Sequence, residues 1–183
     1  MKNVKSSFPN ILTFTNMSLG LTALMLTVSS NNAGNSLVIA SLLIIVAALI
    51  DRFDGKIARK LNASSELGKE LDSLSDLISF GVAPSVITWV LSFSGFGILG
   101  YLLCLVFPIA GAYRLARFNV TVFDNIYTGV PITIAGSFLT LINIYYTYAK
   151  MNDNYYDAYS IGAVVLVIAL SYLMVSKIKI KKM

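Results

Sequence analysis

The sequence contains no histidine, and its single cysteine is Cys104. The first absence excludes imidazole general bases, phosphohistidine intermediates and His-ligated zinc or iron. The second excludes an intrachain disulfide and a metal site built from thiolates; Cys104 stands inside the apolar run Leu102 to Phe107 and reads as packing. Charge is scarce too. Asp, Glu, Lys and Arg make up 13% of the 183 residues against 56% hydrophobic ones, and the mean hydropathy of +0.75 is too high for a chain solvated mainly by water. No internal repeat, low-complexity stretch or linker divides residues 1–183, which are read as one domain. Any catalysis has to run on carboxylates, hydroxyls and cations.

The few charges gather between long apolar runs that approach or exceed the roughly 18 residues a membrane-crossing helix needs. The pattern predicts an all-α membrane protein of six transmembrane helices: Ile11 to Ser29, Leu37 to Leu61, Asp72 to Phe93, Phe96 to Phe118, Gly129 to Ala149 and Tyr159 to Ser176. Lys2 and Lys5 give the first run the look of a signal peptide. Its polar end, Ser29 to Asn35, has no clear small-x-small cleavage site, so the run is expected to be retained.

Loops rich in Lys and Arg stay in the cytoplasm. Placing both termini there puts Lys2, Lys5, Arg52, Lys56, Arg59, Lys60, Lys69, Arg114, Arg117, Lys177, Lys179, Lys181 and Lys182 on the cytoplasmic face and leaves only Lys150 outside. Tyr145, Tyr146, Tyr148, Tyr155, Tyr156 and Tyr159 then form an outer aromatic belt. The net charge of +5 is thereby assigned to topology and to anionic lipid headgroups of the cell membrane, not to nucleic acid.

The second span runs without a helix breaker from Leu37 into Asp51-Arg52-Phe53-Asp54-Gly55-Lys56-Ile57-Ala58-Arg59. At about 1.5 Å per residue Asp51 lies roughly 21 Å from Leu37, at the cytoplasmic edge of the bilayer. Helical spacing puts Asp51, Asp54, Gly55 and Ala58 on one stripe, two carboxylates followed by two small residues. The third span opens with Asp72 and Asp76, four apart on one face, and a short connection brings that pair opposite the first. Even one charge within a membrane costs about 2.5 to 3.5 kcal/mol, so four facing carboxylates call for neutralisation. Two divalent cations would supply it, and an all-oxygen ligand set favours Mg²⁺ or Mn²⁺. Paired metals about 3.5 to 4 Å apart are the usual clamp for phosphoryl transfer. The plainer alternative is an interfacial ion-pair network with Arg52, Lys56, Arg59 and Lys69, which does not require Gly55 and Ala58 on the same stripe.

The order Asp-x2-Asp-Gly-x2-Ala-Arg-x8-Gly-x3-Asp-x3-Asp, from Asp51 through Gly68 to Asp76, resembles the signature of the CDP-alcohol phosphatidyltransferases at every fixed position. The resemblance implies that Asp51, Asp54 and Asp72 are chiefly metal ligands. Asp76 would share metal contact and serve as the base for the incoming alcohol. It further implies that Gly55 and Ala58 let the cytidine nucleotide lie against the helix, that Arg59 and Gly68 shape the diphosphate region, and that the protein is a homodimer. Asn16, beside Thr13 and Thr15 in the first span, reads either as reaching the nucleotide pocket or as a helix-packing polar residue.

The signature does not choose the alcohol. Ser79 to Ser85, Arg114-Leu115-Ala116-Arg117-Phe118-Asn119, Tyr127 to Pro131 and Tyr172 to Lys179, with Pro9-Asn10 and Asn16, are similar to the membrane-type phosphatidylserine synthases of bacteria and archaea over nearly the whole chain. That implies CDP-diacylglycerol and L-serine as substrates. Arg114, Arg117 and Asn119 are then candidate serine-binding residues, since an arginine fork suits a carboxylate; the alternative is that the arginines snorkel to lipid phosphates. Glycerol 3-phosphate is the rival acceptor, although its dianion calls for more cations at that level. A divalent-cation transporter or a structural metal site is the reading from another class, but transporters place their acids near the midplane, not at one edge.

Overall fold

The computed structural model describes residues 2–30, 34–61, 65–120, 126–177 and 179–181, and only the backbone of 2–10, 54–61, 126–128 and 179–181. The described residues form six helical runs: α1 (Lys2–Ser29), α2 (Gly34–Leu61), α3 (Glu66–Phe96), α4 (Ile98–Val120), α5 (Ile132–Met151) and α6 (Asp157–Val175). Two short strands, β1 (Ile126–Thr128) and β2 (Lys179–Lys181), pair antiparallel. Among the described residues, five runs are long and apolar enough to cross a membrane: Ile11–Ser29 of α1, Gly34–Phe53 of α2, and α3, α4 and α6. Helix α5 is the exception, because Asn143, Tyr145, Tyr146 and Tyr148 dilute its hydropathy. Large apolar side chains such as Met25, Leu49, Leu102, Leu141 and Ile161 stand exposed around the bundle, as lipid-facing surfaces require. This is a multi-pass membrane protein.

Helix α3 is the axis. Two-thirds of its apolar window (67%) is buried, against 28–33% in the other four. It begins at Glu66, earlier than the apolar pattern suggests, because the Ser65 hydroxyl accepts a hydrogen bond from the Gly68 N–H at 3.0 Å and caps a polar first turn. The run is α-helical over Glu66–Asp76 and Ala83–Thr88, with π-helical turns at Leu77–Val82 and Trp89–Phe93 and a closing 3-10 turn at Ser94–Phe96. Pro84 explains the first interruption, since it has no N–H to offer the carbonyl of Phe80 four residues earlier. Gly136 of α5 packs against that carbonyl, where a Cβ would collide with the Phe80 oxygen. The Pro84 carbonyl accepts from Thr88 Oγ1 at 2.8 Å and from Asn143 Nδ2 at 2.9 Å, tying α5 to α3.

At one end Gly97 turns α3 into α4 with φ +56°, a left-handed conformation natural only to glycine. At the other end Gly129, with φ +76°, sits against the carbonyl of Met174, and the Val130 N–H donates to Leu173 O at 3.2 Å. The two segments Tyr127 to Pro131 and Tyr172 to Lys179, distant in sequence, thus meet as the β1–β2 ribbon with Tyr127 opposite Ile180. Helix α5 accordingly starts at Ile132, with Gly129 to Pro131 ahead of it.

Candidate active site

Three helix ends converge where α2 approaches its C-terminus, α3 begins and α4 finishes. Carboxyl oxygens of Asp51, Asp72 and Asp76 all lie within 4.8 Å of one another. The spacing of Asp72 and Asp76, one helical turn, directs both at Asp51. Asp76 is 9% exposed, and its Oδ1 is buried with no hydrogen-bond partner. An ionised oxygen left in that state is costly, and a hard divalent cation is the partner its chemistry suits. Arg114, 8% exposed, adds a positive charge that acts on Asp76. Three carboxylates gathered within 4.8 Å of one another make a site whose charge suits a cation.

The sequence motif extends beyond this trio. Helix α2 continues unbroken to Leu61, so the backbone that carries Asp54, Gly55, Ala58 and Arg59 is helical, as their stripe demands; their side chains lie outside the described residues. Gly68 stands in the first turn of α3, one turn before Asp72, with its N–H used by the Ser65 cap.

Helix α1 is bolted along α3 by two serines four residues apart. Ser75 Oγ donates to Thr13 O at 3.1 Å and Ser79 Oγ donates to Asn16 O at 3.0 Å. Gly20 permits the approach, because a Cβ there would collide with the Ser79 hydroxyl and lie 2.8 Å from its Cα. The result places Asn16 beside the stretch that carries Asp76. Its side chain is 1% exposed, and neither amide atom has a partner.

The last turn of α4 separates the three residues singled out there. The Arg114 guanidinium lies over the Phe118 ring at 5.5 Å. Asn119 Nδ2 donates to Glu70 Oε1 at 3.2 Å and Ser73 Oγ at 3.0 Å, while Lys69 Nζ donates to the Asn119 carbonyl at 3.2 Å and lies 5.7 Å from the centre of the Phe118 ring. Arg117 turns the other way: Nη1 donates to Val175 O at 2.9 Å and Nη2 to Ser176 O at 3.3 Å, with its guanidinium over Tyr113. Lys69, Glu70 and Ser73 join Asn119 here although no motif in the sequence marks them. Their only sequence signal was polar residues of both signs just ahead of Asp72, and the packing of α4 on α3 gives it meaning.

Comparison with known proteins adds an independent finding. The family model described as CDP-alcohol phosphatidyltransferase matches residues 6–179. The chain is 39% identical over 141 residues to the CDP-diacylglycerol–serine O-phosphatidyltransferase of Bacillus subtilis, covering 76% of this chain and 73% of the relative. It is 33% identical over 175 residues to the Helicobacter pylori protein of the same name, covering 94% and 70%. To the archaetidylserine synthase of Methanothermobacter thermautotrophicus it is 34% identical over 176 residues, covering 94% and 69%.

Proposed function

The chain belongs to the CDP-alcohol phosphatidyltransferase family, and from that premise we propose that it transfers the phosphatidyl group of CDP-diacylglycerol to L-serine, giving phosphatidylserine and CMP. The observation that carries the reading is the convergence of Asp51, Asp72 and Asp76 at positions matching the family signature. The acceptor is supported by the names of the relatives, which specify serine or archaetidylserine.

In this reading Asp76 is the catalytic base. The serine hydroxyl gives its proton to the carboxylate, its oxygen forms a bond to the lipid-bearing phosphorus, and the bond from that phosphorus to the bridging oxygen breaks, so CMP leaves with the electron pair. Asp51, Asp54, Asp72 and Asp76 would hold two divalent cations, Mg²⁺ or Mn²⁺. When bound, they supply charge neutralisation for the diphosphate and the leaving phosphate. Gly55, Ala58, Arg59, Gly68 and Asn16 line the nucleotide and diphosphate region, with the doubly unpartnered Asn16 amide suited to a ligand rich in donors and acceptors. Arg114 and Asn119 face the acceptor; Arg117, held to the carbonyls of Val175 and Ser176, adds charge at the mouth. The site opens to the cytoplasm from a six-span protein of the cell membrane, with both termini inside, and the active form is a homodimer; basic-residue distribution supports the first and family resemblance the second.

CMP release from purified protein, supplied with CDP-diacylglycerol and each candidate alcohol in turn, tests the proposal. Serine should stimulate release well above buffer. Stimulation by glycerol 3-phosphate alone would replace the acceptor, and no alcohol-dependent release would leave a cation-binding or transport protein instead.

A further inference from the structure

We infer that Glu70 is a binding residue for the acceptor, holding the ammonium group of the amino-acid alcohol beside Asn119. The inference rests on the serine reading above and names a residue that reading does not contain.

Asn119 stands in the last turn of α4, and only the donor side of its amide is paired. Its Nδ2 is committed to two acceptors, Glu70 Oε1 at 3.2 Å and Ser73 Oγ at 3.0 Å. A carboxylate only accepts hydrogen bonds, so the contact with Glu70 fixes which amide atom is nitrogen. Oδ1 is therefore the acceptor left over, and it is buried without a partner. A lone acceptor beside a carboxylate describes the surroundings an ammonium group requires.

The neighbouring groups complete a match to a zwitterion. Arg114 and Lys69 both lie against Phe118, one position before Asn119, so positive charge lies on that side of the amide, where it suits a carboxylate. Glu70 and Asn119 Oδ1 offer the complementary negative end. A free amino acid with a hydroxyl side chain satisfies both ends. A phosphorylated polyol has no group for Glu70 and would bring its dianion against a like charge, so the same residue that favours serine also disfavours the rival acceptor. Glu70 is exposed and its contact with Asn119 is a single hydrogen bond at the surface, so the fold does not depend on it.

The test uses Glu70→Gln and Glu70→Asp in the full chain, purified and assayed for CMP release with CDP-diacylglycerol. Glu70→Gln should raise the KM for serine about tenfold, with kcat and the KM for CDP-diacylglycerol within about twofold of the unmodified protein. Glu70→Asp, which keeps the charge on a shorter arm, should fall between. Inhibition by 3-hydroxypropanoate, which is serine without its ammonium, should be unchanged in both variants. An unaltered serine KM in both overturns the inference, as does an equal loss of 3-hydroxypropanoate binding, because that would mark a general distortion of the site. If the unmodified protein releases no CMP in response to serine, the proposed function fails first, whatever Glu70 does.

Discussion

Two buried polar groups, Asp76 Oδ1 and the Asn16 amide, are left without hydrogen bonds on neighbouring helices. Folding alone does not explain either, since an unsatisfied buried group costs about 1–3 kcal/mol. A site that must receive a ligand does explain them. For Asp76, substitution by Asn keeps the shape and removes both the base and the charge. Turnover should fall by about 10²- to 10⁴-fold, the usual contribution of a positioned base, and CMP release that survives in Asp76→Asn would dismiss the assignment. For Asn16, Leu is the informative replacement because it fills similar volume without polar atoms. Asn16→Leu should melt at the same temperature or higher, while the KM for CDP-diacylglycerol rises about tenfold, equivalent to about 1.4 kcal/mol of binding. A lower melting temperature with an unchanged KM would make Asn16 a packing residue.

Among the elements, α3 determines where the chemistry sits. Its cap at Ser65 sets the start, Asp72 and Asp76 fill the following turns, and the π-helical turn at Leu77–Val82 re-aims everything beyond. Small residues on other helices let it be surrounded closely. Gly20→Ala should cost about 1–3 kcal/mol, as overpacking does, because the added carbon meets both the hydroxyl and the Cα of Ser79. It should also lower activity by loosening the Ser79–Asn16 contact. A variant that is as stable and as active as the original would show that α1 is not clamped at that point.

The helices themselves were legible because bilayer-length apolar runs leave few alternatives. The acids were legible because the i, i+4 spacing of Asp72 and Asp76 reads directly as one face and a short connection brings that face opposite Asp51. The early start of α3 was hidden, since its first turn is polar and depends on one cap. The β1–β2 ribbon was hidden because three-residue strands carry no periodic signal and their pairing depends on contacts remote in sequence. The Lys69–Glu70–Asn119 cluster was hidden for the same reason: adjacency of α3 and α4 creates it, and no spacing within either segment announces it.

For the molecule as a whole, the two ends differ in chemistry as well as charge. The acids, Arg114, Lys69 and the ribbon share one end, while Tyr145, Tyr146, Tyr155, Tyr156 and Tyr159 pack ring against ring at the other, with centroids 5.1 to 6.3 Å apart. Tyr155 and Ser92 join their hydroxyls at 2.7 Å across α3. Tyrosine belts settle at membrane interfaces and basic residues remain in the cytoplasm, so the arrangement predicts one orientation. Cys104 is the only native thiol and lies within α4, half-buried, with Sγ donating to Ser85 O at 3.5 Å. Replacing it by Ser gives a background in which a single new cysteine reports its side of the membrane. In that background a membrane-impermeant maleimide should label Asn152→Cys on intact cells and Lys177→Cys only after permeabilisation. The reverse pattern would put the acids on the outer face and would overturn the proposed orientation of the site.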